Sequence, residues 1–311
     1  MAGNEPAIEF VGLTKFYGRQ LGVADLTFAV DPGEVFGFLG PNGAGKTTAI
    51  RMLMGLLRIT RGRASVLGQD VATASPSLRA RMGYLPGALA FYRHLTAGQY
   101  LAFAARMRDR DLDGRINELA ERLNLDLRRH IHDLSRGNQQ KVGVIQAFMH
   151  DPDVLILDEP TSGLDPVVQR EFEGILDEAT TRGAAVLLSS HVLSEVEQQA
   201  DRVAILNEGH QLVVEHIDTL KGRALRTIDL MFPTDVPADA FRSLASVSSV
   251  EGTGRHLTCS VIGGENELLR TAVELGVETV RTQEPSLEDV FMSLVTGGGS
   301  GDLDPGGQDV A

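Results

Sequence analysis

Short apolar runs and longer amphipathic stretches alternate along the chain to about position 220, and this alternation predicts most of its elements. Strand-like patterns occupy 7–13 and 21–30, with successive side chains on opposite faces. The run 34–39 is apolar almost throughout, and spacing of three and four then predicts a helix over 44–57. Short strands are expected at 64–67 and 81–85. From 96 to 150 the apolar positions keep helical spacing, which predicts helices over 96–108, 113–123 and 138–150. Strand and helix then alternate again: strand 154–157, helix 166–181, strand 184–188, helix 193–200, strand 203–206. A parallel α/β core interrupted by a helical insertion accounts for this order.

Beyond 220 the rhythm changes. Strand 225–232, helix 237–245, strands 247–252 and 255–262, helix 265–275 and strand 277–282 spell βαββαβ, the ferredoxin-like α+β order. A last amphipathic helix over 286–295 carries Leu287, Val290, Phe291 and Leu294 on one stripe. The tail from 297 has Gly, Pro and Asp and almost no apolar content, and its composition predicts disorder. The expected division is a core domain at 1–220 with its helical subdomain at about 88–150, an accessory domain at 221–296, and the tail 297–311.

Composition narrows the function classes. A hydrophobic content of 42% supports substantial cores, and a net charge of −13 argues against a general nucleic-acid surface. No apolar run approaches the ~18 residues that cross a bilayer. The opening MAGNEPAIEF has neither a basic n-region nor an apolar h-region. The single cysteine, Cys259, excludes an internal disulfide. A cytoplasmic protein is expected, reaching a membrane only through a partner.

Residues 40–47 read GPNGAGKT, a match to G-x-x-x-x-G-K-[ST] directly after the strand 34–39. Gly40, Gly43 and Gly45 let the backbone curl so that N–H groups point at phosphate oxygens, with Pro41, Asn42 and Ala44 between them and Thr48 following. A helix opening near Gly45 adds the positive end of its dipole. Lys46, one of only four lysines among 29 basic residues, brings a compact charge to the β- and γ-phosphates, and the Thr47 hydroxyl suits Mg²⁺. Residues 154–159, VLILDE, deliver two carboxylates to a strand end: Asp158 placed for Mg²⁺, Glu159 for polarising an attacking water.

With LSRGNQQK at 134–141, these motifs resemble the ATP-binding subunit of ABC transporters, over residues 7 to about 217. The resemblance implies an ABC ATPase of the P-loop NTPase fold that uses ATP and Mg²⁺. It implies a signature made by Leu134, Ser135, Arg136, Gly137 and Gln140, acting on the ATP of a second copy, since each motif occurs once per chain. Ser162, Gly163, Leu164 and Asp165 correspond to the loop at the dimer interface, and Leu187 to His191 to the switch-histidine segment, which makes Glu159 and His191 the catalytic pair. Tyr17 stands where the family stacks an aromatic on adenine. Two positions depart from the family: Gly87 stands where a Mg²⁺-sensing Gln is usual, and Arg136 replaces the signature's first Gly.

The segment 284–291 resembles the tail of drug- and antibiotic-export ATPases of the daunorubicin-resistance type. An ATPase subunit is therefore expected, homodimeric, driving export of a drug-like, antibiotic or lipid-like substrate through a separate transmembrane permease, without nucleic acid as partner. The alternative is a soluble ABC ATPase not coupled to transport; its relatives carry tandem ATPase domains, a coiled-coil insertion or a zinc module, none of which is present. A non-hydrolysing regulatory module is the third reading, and Lys46, Asp158, Glu159 and His191 argue against it.

Overall fold

The computed structural model describes residues 5–108, 110–223, 225–261 and 264–296, so the predicted disordered tail lies outside the described residues. The chain divides into two compact units, the first ending at Val214 and the second beginning at Glu215.

The larger sheet holds β1 (Ile8–Tyr17), β2 (Gln20–Val30), β3 (Val35–Leu39), β4 (Arg61–Val66), β5 (Gln69–Asp70), β6 (Met82–Leu85), β7 (Val154–Asp158), β8 (Ala185–Ser190), β9 (Arg202–Asn207) and β10 (His210–His216). Their order is β5-β4-β1-β2-β10-β9-β3-β8-β7-β6. β3 pairs in parallel with β8 and β9, and β7 with β6 and β8. By contrast, β1 pairs antiparallel with β2 and β4, and β4 with β5. The sheet is thus mixed: β3 and β6–β9 form the expected parallel core, and β1, β2, β4 and β5 add antiparallel pairings to it.

Burial explains the difference. Every residue of β3, β7 and β8 is buried, as parallel strands covered on both faces must be. The end of β2 instead alternates buried and accessible positions. Phe28 joins the two halves, its ring centroid 4.6 Å from Phe10, 4.8 Å from Phe36 and 5.5 Å from Phe38.

Around this sheet lie α1 (Lys46–Leu53), α2 (Pro76–Ala80), α3 (Ala97–Arg106), α4 (Asp113–Arg122), α5 (Arg136–Phe148), α6 (Pro166–Thr181) and α7 (Leu193–Gln199). α1 is shorter than the expected 44–57. Ala44 belongs to the preceding loop, and the helix closes where Leu56 and Leu57 N–H both turn back to the Arg51 carbonyl past Gly55 at φ +67°. α5 begins two residues earlier than predicted, because Ser135 caps it: its Oγ accepts from Asn138 N–H at 3.3 Å. Arg136 and Gly137 therefore lie in its first turn, directly after the Ser135 cap.

The second unit opens with α8 (Ile217–Arg223) and carries a four-stranded antiparallel sheet of β11 (Arg226–Met231), β12 (Val247–Thr253), β13 (His256–Val261) and β14 (Thr279–Gln283), in the order β12-β13-β11-β14. This is the strand order of a βαββαβ unit, completed by α9 (Asp239–Arg242) and α10 (Asn266–Glu274) and followed by α11 (Leu287–Thr296). Ile228, Leu230, Phe232, Phe241, Leu257 and Leu268 form its core together with Cys259. Burial pushes the Cys259 thiol up to about 11, so it packs as a small apolar group. α9 is shorter than the expected 237–245, because Leu244 N–H bonds the Phe241 carbonyl in a tight turn.

Candidate nucleotide site

β3 delivers the chain to the phosphate loop, and Gly45, at φ +104°, makes the turn into α1 that a side chain would strain. Lys46 is only 6% exposed, and its ammonium donates to the carbonyls of Gly40 and Pro41 in its own loop. Burial pushes its pKa below the ordinary lysine value, against the opposing pull of the Glu159 and Asp158 charges. The loop therefore folds around a cation that it has already partly desolvated.

β7 places two carboxylates beside that cation. Asp158 is 3% exposed; its Oδ1 accepts from Ser189 Oγ at 2.5 Å and its Oδ2 from Thr47 Oγ1 at 3.2 Å. The chain then bends sharply at Glu159, which has φ +55°, a left-handed conformation that costs a non-glycine residue on the order of 1–3 kcal/mol. Its N–H is held by the Ser189 carbonyl at 3.0 Å, and its Oε2 lies 2.6 Å from Nδ1 of the half-exposed His191. The bend turns the Glu159 side chain into the cleft, while Asp158 stays in the sheet.

A cavity of about 670 Å³, within the range for small-molecule sites, opens over these groups. The phosphate loop, Tyr17, Tyr84, Gly87, Asp158 and Glu159 line it. Tyr17 is 46% exposed, its hydroxyl 3.4 Å from Thr48 Oγ1 and the Lys15 ammonium 5.3 Å from its ring centroid. At Gly87 a Cβ would stand 3.1 Å from Asp158 Oδ2. Sequence reasoning assigned no role to Ser189, Tyr84 or Arg51, which also line or brace the cavity. A hydroxyl at the end of a buried strand, or a tyrosine just ahead of a loop, gives no local signal of what it faces.

The predicted signature residues do not line this cavity. Leu134 is buried, while Ser135 and Arg136 lie on the surface. Arg136 Nη2 donates to Ser162 Oγ at 3.3 Å, so its guanidinium braces the neighbouring loop. A Cβ on Gly137 would collide with the Gly163 carbonyl oxygen, and this close approach seats the start of α5 on residues 162–163. Leu164 is buried, and Asp165 caps α6 by accepting from Val167 and Val168 N–H at 3.1 Å each.

Gln140 departs from its expected place. It is 5% exposed, and its amide donates to the carbonyls of Glu159 at 3.1 Å and Pro160 at 2.9 Å. Five residues beyond Ser135, and so on another face of the helix, it points inward and ties α5 to the bend that carries Glu159. The site residues thus fall into two groups: Tyr17, residues 41–48, Asp158 and Glu159 lining the cavity, with Gly40 leading into the loop and His191 on Glu159, and Ser135 to Gly137 with the loop 162–165 outside it.

The chain as a whole resembles known proteins. The family described as ABC transporter matches residues 23–162. The bacitracin transport ATP-binding protein of Bacillus licheniformis is 33% identical over 304 residues, which cover 94% of this chain and 98% of that protein. The Nod factor export ATP-binding protein I of Rhizobium etli is 31% identical over 301 residues, 93% of each. A solved structure of an ATP binding subunit of an ABC transporter superposes with a TM-score of 0.66 at 31% identity, over 69% of this chain and 92% of that one.

Proposed function

The chain belongs to the ABC transporter family of ATP-binding subunits, and from that premise we propose how its residues divide the work. It is the ATP-binding and ATP-hydrolysing subunit of an ABC exporter. Tyr17 stacks on adenine; the loop from Gly40 to Thr48 wraps the phosphates; Lys46 moves from its own carbonyls to the β- and γ-oxygens. Glu159, with His191 2.6 Å away, takes the proton of the attacking water, and His191 reaches the γ-phosphate.

Thr47 Oγ1 and Asp158 Oδ2, 3.2 Å apart at one end of the cavity, are hard oxygen donors of the kind Mg²⁺ takes. Thr47 and Asp158 would hold such an ion together with the nucleotide's phosphate oxygens. Bound there, the ion neutralises charge between the phosphates.

The observation that carries the reading is the separation of the two groups. Ser135, Arg136 and Gly137 stand at a helix N-terminus suited to a γ-phosphate but away from the chain's own cavity. They serve the ATP of a second copy, with residues 162–165 at the contact. Among the described residues no helix is long and apolar enough to cross a membrane. The relatives named as transport and export ATP-binding proteins support a separate permease that provides the path and holds the subunit on the cytoplasmic face of the cell membrane, with a substrate that is drug-like, antibiotic or lipid-like. The test is gel filtration of Glu159→Gln with MgATP. A stable dimer that binds ATP without turning it over is the expected result; a monomer under saturating ATP defeats the composite site.

A further inference from the structure

Two histidines tie the segment that leaves the nucleotide cavity to the segment that presents Ser135. Gly87 and Ala88 line the cavity, and the chain runs on through Arg93 and His94 to α3. Residues 129–134 run the other way, into the signature. His132 Nδ1 lies 3.0 Å from the Arg93 carbonyl, which also accepts the His132 backbone N–H at 3.2 Å. His130 Nδ1 lies 3.0 Å from the His94 carbonyl. The two rings stack, with centroids 5.4 Å apart and planes 29° from parallel. A carbonyl only accepts, so each Nδ1 donates.

The clasp continues into the signature. The Gln139 amide donates to the carbonyls of Ile131 at 3.3 Å and Leu134 at 3.1 Å, and Ser135 caps the helix that follows. Backbone hydrogen bonds such as Ile131 N–H to the Leu95 carbonyl at 3.0 Å hold the same two segments. The imidazoles double that ladder from the side chains, at its exposed edge, where Arg93, His94, His130 and His132 all face solvent.

We propose that His130 and His132 are positioning residues that couple a chain's own nucleotide cavity to its signature. In the dimer that signature serves the partner copy's ATP, so the clasp connects one composite site to the other; this rests on the composite-site reading above. A shift of residues 88–95 when the cavity fills is passed to Ser135 through two side-chain rivets and the ladder between them.

The test is the double variant His130→Ala/His132→Ala, made in the native chain and in the Glu159→Gln background. ATP affinity of the isolated chain, by calorimetry, stays within about twofold of the parent. The ATP concentration that drives dimerisation of the Glu159→Gln form rises about tenfold, and kcat of the native form falls about tenfold with KM unchanged. Asn at both positions, whose amide N–H can reach the same carbonyls, restores most of both. The proposal is overturned if the double Ala variant dimerises and turns over like its parent, or if the Asn variant is as impaired as the Ala variant. Should the double Ala variant not fold, the single variants His130→Gln and His132→Gln, whose amide sits one methylene further out, are judged on the same two readouts. A Glu159→Gln parent that forms no ATP-dependent dimer overturns the composite-site reading itself, and the clasp with it.

Discussion

In the nucleotide cavity Asp158 is 3% exposed and both its oxygens accept from hydroxyls, Lys46 is 6% exposed and donates to its own loop, and Glu159 meets His191. In the signature patch Ser135 and Arg136 lie on the surface, held by a backbone cap, one bond to Ser162 and the close seat of Gly137 on Gly163. Specific contacts hold both regions, but to different ends. The cavity fixes ionisable groups against one another, which tunes chemistry on a ligand that enters it. The patch fixes a helix end and a hydroxyl against solvent, which prepares a receptor for something brought from outside.

The sharpest way to break this contrast is Glu159→Gln. Loss of a general base should slow phosphate release by ~10²–10⁴-fold with ATP affinity retained; if calorimetry shows that binding falls as well, the division between binding and chemical groups inside the cavity is wrong. Next is Lys46→Ala. Hydrogen bonds to a charged group contribute about 1.5–3 kcal/mol, so ATP affinity should drop ~10–100-fold while the fold, read by thermal melting, persists.

Gly137→Ala moves the test to the patch. The added Cβ meets the Gly163 carbonyl, and overpacking of this kind costs about 1–3 kcal/mol. Turnover should fall while the isolated chain binds ATP as before; weakened binding would mean that patch and cavity are one unit. The smallest effect is expected for Asp165→Ala, which removes the cap of α6 at about 1 kcal/mol in urea unfolding. Asp165→Asn should restore that stability, and if it fails to restore ATP-dependent dimerisation, the carboxylate also acts at the contact.

Much of this was legible before the fold. β3, β7 and β8 could be read because strands buried on both faces are written as unbroken apolar runs. β10 could not, since none of its residues is buried and its place beside β2 rests on pairing rather than composition. The start of α5 was misread because Arg136-Gly137-Asn138 looks like a loop, with Gly a poor helix former, and only its seat on Gly163 justifies it there. In the site, residues whose chemistry is tied to a fixed spacing, such as Lys46, Thr47, Asp158 and Glu159, were readable. Gln140 and Ser189 were not, because what each side chain touches is decided by an element distant in sequence.

Gly87 has a bearing on how such a chain can change. Its backbone lies so close to Asp158 that an added Cβ would stand 3.1 Å from Oδ2. The glutamine that the sequence resemblance led one to expect there would press on the carboxylate that Thr47 and Ser189 hold in register. A second change that moves the loop or the acid would relieve that contact. Gly87→Gln made alone should therefore impair the protein, and libraries that place glutamine there should vary the residues around Asp158 at the same time.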